Sequence, residues 1–281
     1  MASEQPLRRQ DLERLRALCA GDGARLDVLE AAFEMAALQR DAPIDRAPYR
    51  QHVAAMAADL ADLVHRRGAV PERLGEVIAQ AYGYRGDSET YDDLQNTDLP
   101  RVIERRKGLP VALSLLYLHV ARAQGWDAEG LAFPGHFLIR VAIDGARYVL
   151  DPFHGGTVRD AADLRGLLRQ VLGPESELLP EHFDAVADRD VLLRLENNIR
   201  LRLAKREDWI GAARSLDRML AIAPDRPDLL FEAGEINARL DNRRAAIAAF
   251  ERFLGLAGVP AEPALRQRAS ALLQELRRGL N

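Results

Sequence analysis

The stretch HFLIRVAIDGARYVLDPF, residues 136–153, consists of two apolar runs around the pair Asp144–Gly145. An Asp-Gly pair between apolar runs is a strong signal for a β-hairpin with a two-residue turn. With that turn, residue 143 faces residue 146 and residue 138 faces residue 151. The stretch therefore predicts two antiparallel strands in one register, and a loop one residue longer or shorter would shift that register.

Strand alternation assigns the side chains of the hairpin to two faces. The predicted core face is almost wholly apolar and carries Phe137, Ile139, Val141, Tyr148 and Leu150. The other face is predicted to be polar and carries His136, Leu138, Arg140, Arg147, Val149 and Asp151. His136 lies two positions from the residue that faces Asp151, and such diagonal neighbours have Cα atoms roughly 7–8 Å apart. We therefore expect the His136 and Asp151 side chains to meet.

A contact between His136 and Asp151 has two interpretations. A carboxylate that binds one ring nitrogen sets the imidazole tautomer and leaves the other nitrogen for a nucleophile or a ligand. The structural alternative is a hydrogen bond that closes the edge of the sheet.

A central helix is predicted directly upstream, in LPVALSLLYLHVARAQG, residues 109–125. Pro110 suits a first helical position, and Gly125 stands just past the predicted end. Because this helix is apolar on nearly every face, we expect other elements to surround it. The order helix, strand and hairpin predicts an α+β fold in which the central helix packs on an antiparallel sheet.

Amphipathic helices are predicted on both sides of this core. In the N-terminal region they occupy residues 26–39, 49–67 and 71–83. In the C-terminal region, residues 210–224 match residues 244–258 at an offset of 34, which is the tetratricopeptide period, and a last helix is expected near 262–278. Two similar helical hairpins could also arise by chance. The predicted domains are a helical part of the core at 1–83, the α+β core at 84–180, and helical repeats at 190–281.

Composition limits the partners and the compartment. A net charge of −4 gives no electrostatic case for a nucleic-acid partner. The longest apolar run, residues 109–121, is too short to cross a bilayer, and the N-terminal stretch lacks the apolar core of a signal peptide. Cys19 is the one cysteine, so an intramolecular disulfide is impossible. We expect a cytoplasmic protein without nucleic-acid or membrane partners.

Three segments together resemble the transglutaminase-like domain of the bacterial SirB family. They are RRKGLPVALSLLYLHVARAQG (105–125), FPGHFLIRV (133–141) and YVLDPFHGG (148–156). The resemblance extends over roughly residues 25–260 and implies a papain-like core followed by tetratricopeptide repeats. It also implies a catalytic triad, in which a cysteine begins the central helix and a histidine and an aspartate lie on adjacent strands.

The triad that the resemblance implies is incomplete in this chain. His136 matches the family's histidine and Asp151 its aspartate, but Pro110 stands near the expected cysteine position. A proline has no nucleophilic group, and Cys19 lies far away in an N-terminal helix, where a small buried apolar role suits it. Ser114, one helical turn beyond Pro110, is a weak candidate nucleophile, because serines inside helices usually bond the carbonyl four residues earlier.

Two further sets of polar residues lie near the predicted site, His154 and the arginines before the central helix. His154 follows Asp151 closely, so a metal site with His136 is conceivable, but the spacing matches no dedicated ligand pattern and we expect neither metal nor cofactor. Arg105 and Arg106 precede the central helix, and YDDLQN (91–96) supplies acidic groups. These residues predict either a salt-bridge cluster or the polar lip of a cleft.

The missing thiol favours a transglutaminase-like pseudoenzyme over an enzyme. Such a protein would have a regulatory or protein-binding role, and its repeats would bind a protein or peptide partner. The alternative is a hydrolase or acyl-transfer enzyme that uses His136 and Asp151 with Ser114 or an activated water as nucleophile.

Overall fold

The computed structural model describes residues 9–21, 25–40, 43–256 and 263–278. They form two compact units: a core unit, Gly21–Leu195, and a repeat unit, which holds the described residues up to Ala20 and from Glu196 onward. The first eight residues of the predicted N-terminal region, the end of the predicted second repeat at 257–258 and the last three residues lie outside the described part of the chain.

Helices make up the N-terminal half of the core unit. They are α2 (Val28–Arg40), α3 (Ala47–Arg67), α4 (Glu72–Gly75), which continues as a π-helical turn over Glu76–Ala81, and α5 (Leu99–Arg105). Two short parallel strands, β1 (Arg85–Gly86) and β2 (Lys107–Gly108), pair just ahead of the central helix, α6 (Pro110–Ala123). The residues of α6 from Pro110 to Leu118 are all buried, because α2, α3 and the strands that follow pack around the helix. The prediction of a surrounded central helix is confirmed.

A five-stranded antiparallel sheet follows α6, with the strand order β6-β5-β4-β3-β7. The strands are β3 (Asp127–Leu131), β4 (Leu138–Ile143), β5 (Ala146–Asp151), β6 (Thr157–Arg159) and β7 (Ala185–Val186). In the β4–β5 hairpin Ile143 faces Ala146 and Ile139 faces Leu150, which is the predicted register. The α+β class is confirmed.

The prediction that one face of the hairpin is polar is wrong at Leu138. Leu138 is fully buried in a second apolar cluster, which also contains Leu131, Phe133, Leu164 and Leu168. Two of these residues belong to α7 (Ala161–Leu172), an amphipathic helix that covers this part of the sheet. The sheet is therefore buried on both faces near the end of β5.

The repeat unit is helical. It contains α1 (Arg9–Leu18), the residues of α8 (Asp188–Lys205) from Glu196 onward, α9 (Trp209–Ile222), α10 (Pro227–Arg239), α11 (Arg243–Gly255) and α12 (Pro263–Arg278). Helices α9 and α11 start 34 residues apart, and the equivalent residues Ala212 and Ala246 are both fully buried. Helix α1 packs against α9. In the described part of the chain, every helix is too short or too polar to cross a membrane.

The hairpin turn provides a test of what sets the register. Asp144 and Gly145 have φ angles of 50° and 83°, the positive values that a type I′ turn requires. Gly145→Ala adds a Cβ that meets no atom within 4 Å, so its cost comes from the backbone angle alone. We expect Gly145→Ala to lower the free energy of unfolding by about 1–2 kcal/mol in urea titrations.

Gly166→Ala is the matched control. Gly166 lies exposed within α7, where a Cβ also meets nothing, so this substitution should stabilise the chain by about 0.5–1 kcal/mol. Equal effects of the two substitutions would contradict the assigned turn.

Candidate functional site

A tight turn brings His136 to the start of β4. Gly135 has a φ of 66°, and a Cβ at this position would lie 2.7 Å from the side chain of Val171 on α7. The amide of His136 donates to the carbonyl of Phe133 (3.3 Å), which closes the turn. Glycine is thus required at residue 135 both by its backbone angle and by the close approach of α7.

The carboxylate of Asp151 is the centre of the site. Asp151 ends β5, is fully buried, and begins a short 3₁₀ turn, Pro152–His154. Its Oδ1 accepts hydrogen bonds from His136 Nε2 (3.0 Å) and from the amides of Phe153 (3.1 Å) and His154 (3.2 Å). Its Oδ2 accepts from His154 Nδ1 (2.8 Å) and from Arg159 Nη2 (2.9 Å). The carboxylate therefore joins β5 to the turn before β4, to the 3₁₀ turn and to β6.

These donors keep the Asp151 carboxyl ionised. Burial alone would raise its pKa, since a charge is disfavoured away from water. Hydrogen bonds from His136, His154 and Arg159, together with the charge of His136, outweigh burial and hold the pKa of Asp151 well below its usual range. At neutral pH Asp151 is a negative charge that faces two imidazoles and a guanidinium.

Aromatic rings surround the His136 imidazole. It stacks on the His154 ring, with ring centres 5.8 Å apart, and the Phe153 ring meets it edge-on at 6.3 Å. Tyr91 in turn lies against Phe153 at 6.0 Å. His154 and Tyr91 are about half exposed, whereas the His136 side chain is only 16% exposed. The cluster is therefore reached from solvent at its His154 and Tyr91 side.

The start of α6 carries no available nucleophile. Pro110 is the first residue of the helix and is buried. The Ser114 hydroxyl is fully buried and donates to the carbonyl of Pro110 (2.8 Å), the usual bond of a serine inside a helix. Cys19 is buried in the repeat unit.

The predicted salt-bridge cluster before the central helix is confirmed for Arg105, with a different acid. Arg105 binds Asp87 (2.8 Å) and the side chain of Asn96 (2.9 Å). Asp87 also accepts from the amide and hydroxyl of Thr90, so this buried carboxylate holds the loop in place. Asn96 is the residue that the YDDLQN segment contributes to the described contacts of Arg105.

Arg106 belongs to a cluster that the sequence did not indicate. Its backbone has a φ of 58°, and its guanidinium binds the Tyr84 hydroxyl and His52 Nε2. The hydroxyl of Tyr84 also lies 3.1 Å from His52 Nε2. His52 lies on α3, far from Arg106 in sequence, and no motif links the two residues.

The hydrogen bonds that Asp151 accepts, called the Asp151 network below, predict the effect of a substitution on stability. Asp151→Asn replaces an ionised acceptor by an amide that turns two N–H donors toward existing donors. We expect a loss of about 3 kcal/mol in the free energy of unfolding, measured in urea, because the buried group then lacks an acceptor for some of its donors and Arg159 loses its counter-charge. Asp184→Asn, at an exposed position of the same unit, should change stability by less than about 0.5 kcal/mol. A neutral Asp151→Asn would contradict the network.

The surroundings of His52 predict how the free energy of unfolding depends on pH. Burial, and then the charge of Arg106, lowers the pKa of His52. The unfolded chain therefore binds a proton at this residue more readily than the folded chain, and protonation favours unfolding. We expect the free energy of unfolding to decrease as the pH falls below about 6.5. His52→Gln should reduce this slope, whereas His65→Gln, at an exposed position of α3, should leave it unchanged. Identical slopes in all three proteins would refute this account.

Comparisons with known proteins agree with this architecture. A model of the transglutaminase-like superfamily matches residues 47–197, and a tetratricopeptide repeat model matches residues 199–274. No solved structure matches the chain.

Relatives occur in several bacteria. A UPF0162 protein of Xylella fastidiosa is 36% identical over 64% of this chain, and the chain spans 65% of that protein's length. A UPF0162 protein of Vibrio cholerae is 29% identical over 91% of this chain and 96% of its own length. Protein SirB1 of Salmonella typhimurium is 24% identical over 65% of this chain and 69% of its own length. The chain thus belongs to the transglutaminase-like superfamily, in a SirB-like family that joins this core to C-terminal tetratricopeptide repeats.

Proposed function

We propose that this protein is a cytoplasmic, non-catalytic member of its superfamily that binds a protein or peptide partner. The observation that carries the proposal is the start of α6, where a buried proline stands near the position that a catalytic cysteine would occupy. A cysteine there would be activated by the helix dipole and by a neighbouring imidazolium. Pro110 offers no group for that chemistry.

The arrangement of Ser114 supports the same proposal. A serine nucleophile must turn its hydroxyl toward a base and toward substrate. The Ser114 hydroxyl instead bonds the backbone within its own helix and has no solvent exposure. In this interpretation His136 and Asp151 hold the fold together.

The repeat unit supports a partner-binding role. Tetratricopeptide repeats generally mediate protein–protein interactions, and stacked helical repeats offer extended surfaces for a peptide or a helix. Two large apolar side chains of this unit are exposed, Leu201 (52%) and Ile210 (41%). Neither nucleic acid nor membrane is part of the proposal.

The absence of serine chemistry is testable with a fluorophosphonate probe. We expect no labelling of the wild-type chain, and Ser114→Ala should change the free energy of unfolding by no more than about 1 kcal/mol, since it removes one local hydrogen bond. Labelling that disappears in Ser114→Ala would overturn the non-catalytic proposal. A commercial serine hydrolase in the same reaction confirms that the probe is active.

Partner binding is testable by quantitative affinity purification of the full chain from its native host. We expect at least one protein that the wild-type chain enriches and the double variant Leu201→Lys, Ile210→Lys loses. The double variant Leu172→Lys, Leu179→Lys changes exposed apolar residues of the core unit and should retain that protein. Binding that neither pair alters, or that only the core pair removes, would contradict a role for the repeat unit.

A hydrolase that activates water is the second candidate function. It is favoured by one observation, the hydrogen bond between His136 Nε2 and the ionised Asp151, which leaves Nδ1 as the nitrogen for a proton transfer. Ester and amide hydrolysis by the wild-type chain that disappears in His136→Gln, with the fold intact, would favour this candidate over the first.

A further inference from the structure

We propose that His136, Asp151 and His154 bind a divalent transition-metal ion such as Zn²⁺. The expectation of no metal rested on sequence spacing, which matches no dedicated ligand pattern. The structure, however, brings both imidazoles to one carboxylate. One donor atom from each of the three residues lies within 4.8 Å of the other two. This inference is independent of the proposed partner binding.

The distances are close to those of a bound ion. Zinc lies about 2.0–2.2 Å from nitrogen and carboxylate oxygen, so two ligands of a tetrahedral ion are roughly 3.4 Å apart. His136 Nε2 lies 3.0 Å from Oδ1 of Asp151 and His154 Nδ1 lies 2.8 Å from Oδ2, and the set with one donor atom from each residue stays within 4.8 Å. Binding would therefore require adjustments on the order of an ångström. The His154 side chain, half exposed on its short turn, has room to make them.

The donor chemistry also suits such an ion. Two imidazoles and a carboxylate form the three-residue set of open zinc sites, which leave a fourth position for water or another ligand. On metal binding, each ring nitrogen that now faces Asp151 would give its proton to solvent, and the opposite nitrogen would carry the single proton of the neutral ring; a ring that was charged thereby releases one proton net, and a neutral ring takes one back from solvent. Neutral imidazoles then present lone pairs to the ion, and the ionised carboxylate supplies the negative charge.

The remaining contacts of Asp151 resemble the outer shell of a metal site. Ligating carboxylates in proteins are themselves hydrogen-bonded, and those bonds orient them. The amides of Phe153 and His154 already fix Oδ1, and Arg159 fixes Oδ2. The positive charge of Arg159 opposes any cation at this place, and the two imidazoles decide which ion binds, because Ca²⁺ and Mg²⁺ prefer oxygen ligands whereas Zn²⁺ binds imidazole.

The position of His154 gives the ion a path from solvent. His136 is nearly buried and Asp151 fully so, but half of the His154 side chain is exposed. The fourth coordination position can then be filled by water or by a donor atom of a bound molecule.

A titration of the untagged full chain with Co²⁺ tests the proposal, after treatment with a chelator and dialysis. Co²⁺ in a site of low coordination number absorbs visible light much more strongly than the aqueous ion, and Zn²⁺ should displace it. We expect saturation at one equivalent. His154→Gln, which changes a half-exposed residue and keeps a hydrogen-bonding group, should weaken binding by about tenfold or more, since losing a ligand costs at least as much as losing an outer-shell partner. The control His65→Gln removes an exposed histidine from α3 and should leave the affinity unchanged.

Two outcomes would overturn the proposal. One is the lack of saturable Co²⁺ binding in a folded wild-type chain. The other is equal affinity in the wild type and His154→Gln, which would place the ion elsewhere. His136→Gln provides a second variant, with circular dichroism as the check on folding. The test of partner binding uses substitutions in the repeat unit, whereas the test of metal binding uses substitutions in the core unit. Either proposal can therefore fail while the other is still tested.

Discussion

The core unit depends on the burial of a single ionised carboxylate. Asp151 is withdrawn from water, and a carboxylate in such a place is tolerated only when cations and hydrogen-bond donors surround it. Its donors come from the turn before β4, from the 3₁₀ turn that follows β5, and from Arg159 on β6. Each of these segments is irregular or short, and each is positioned by the same two oxygen atoms. The geometry of the site and the stability of this part of the sheet therefore have one cause.

The part of the site that the sequence predicts is the part that local rules determine. The Asp144–Gly145 turn and the alternation of two strands set a register, and that register brings His136 to Asp151. The approach of His154 and Arg159 follows no such rule. It depends on how the chain leaves β5 through a 3₁₀ turn and two glycines with positive φ, for which periodicity carries no information.

The sequence also does not predict which elements a helix packs against. An amphipathic pattern shows that a helix buries one face, but it does not say against what. Helix α7 covers Leu138 and makes the supposedly polar side of the hairpin a second core. Helix α1 is amphipathic, with Leu12, Leu15 and Leu18 at helical spacing, and nothing in that spacing indicates that it packs against α9. The cluster of His52, Tyr84 and Arg106 likewise joins segments that only the tertiary fold brings together.

The structural roles of Pro110 and Asp151 affect how the pair His136 and Asp151 should be interpreted. A proline at the first position of α6 suits the helix because its backbone angle is preset. Asp151 stabilises the sheet because its carboxylate accepts hydrogen bonds from several surrounding donors. Selection for folding alone is enough to retain His136 and Asp151, because their contact stabilises the sheet whether or not the site performs any chemistry. A histidine and an aspartate at these positions are thus evidence for an intact sheet, and by themselves they do not indicate catalysis.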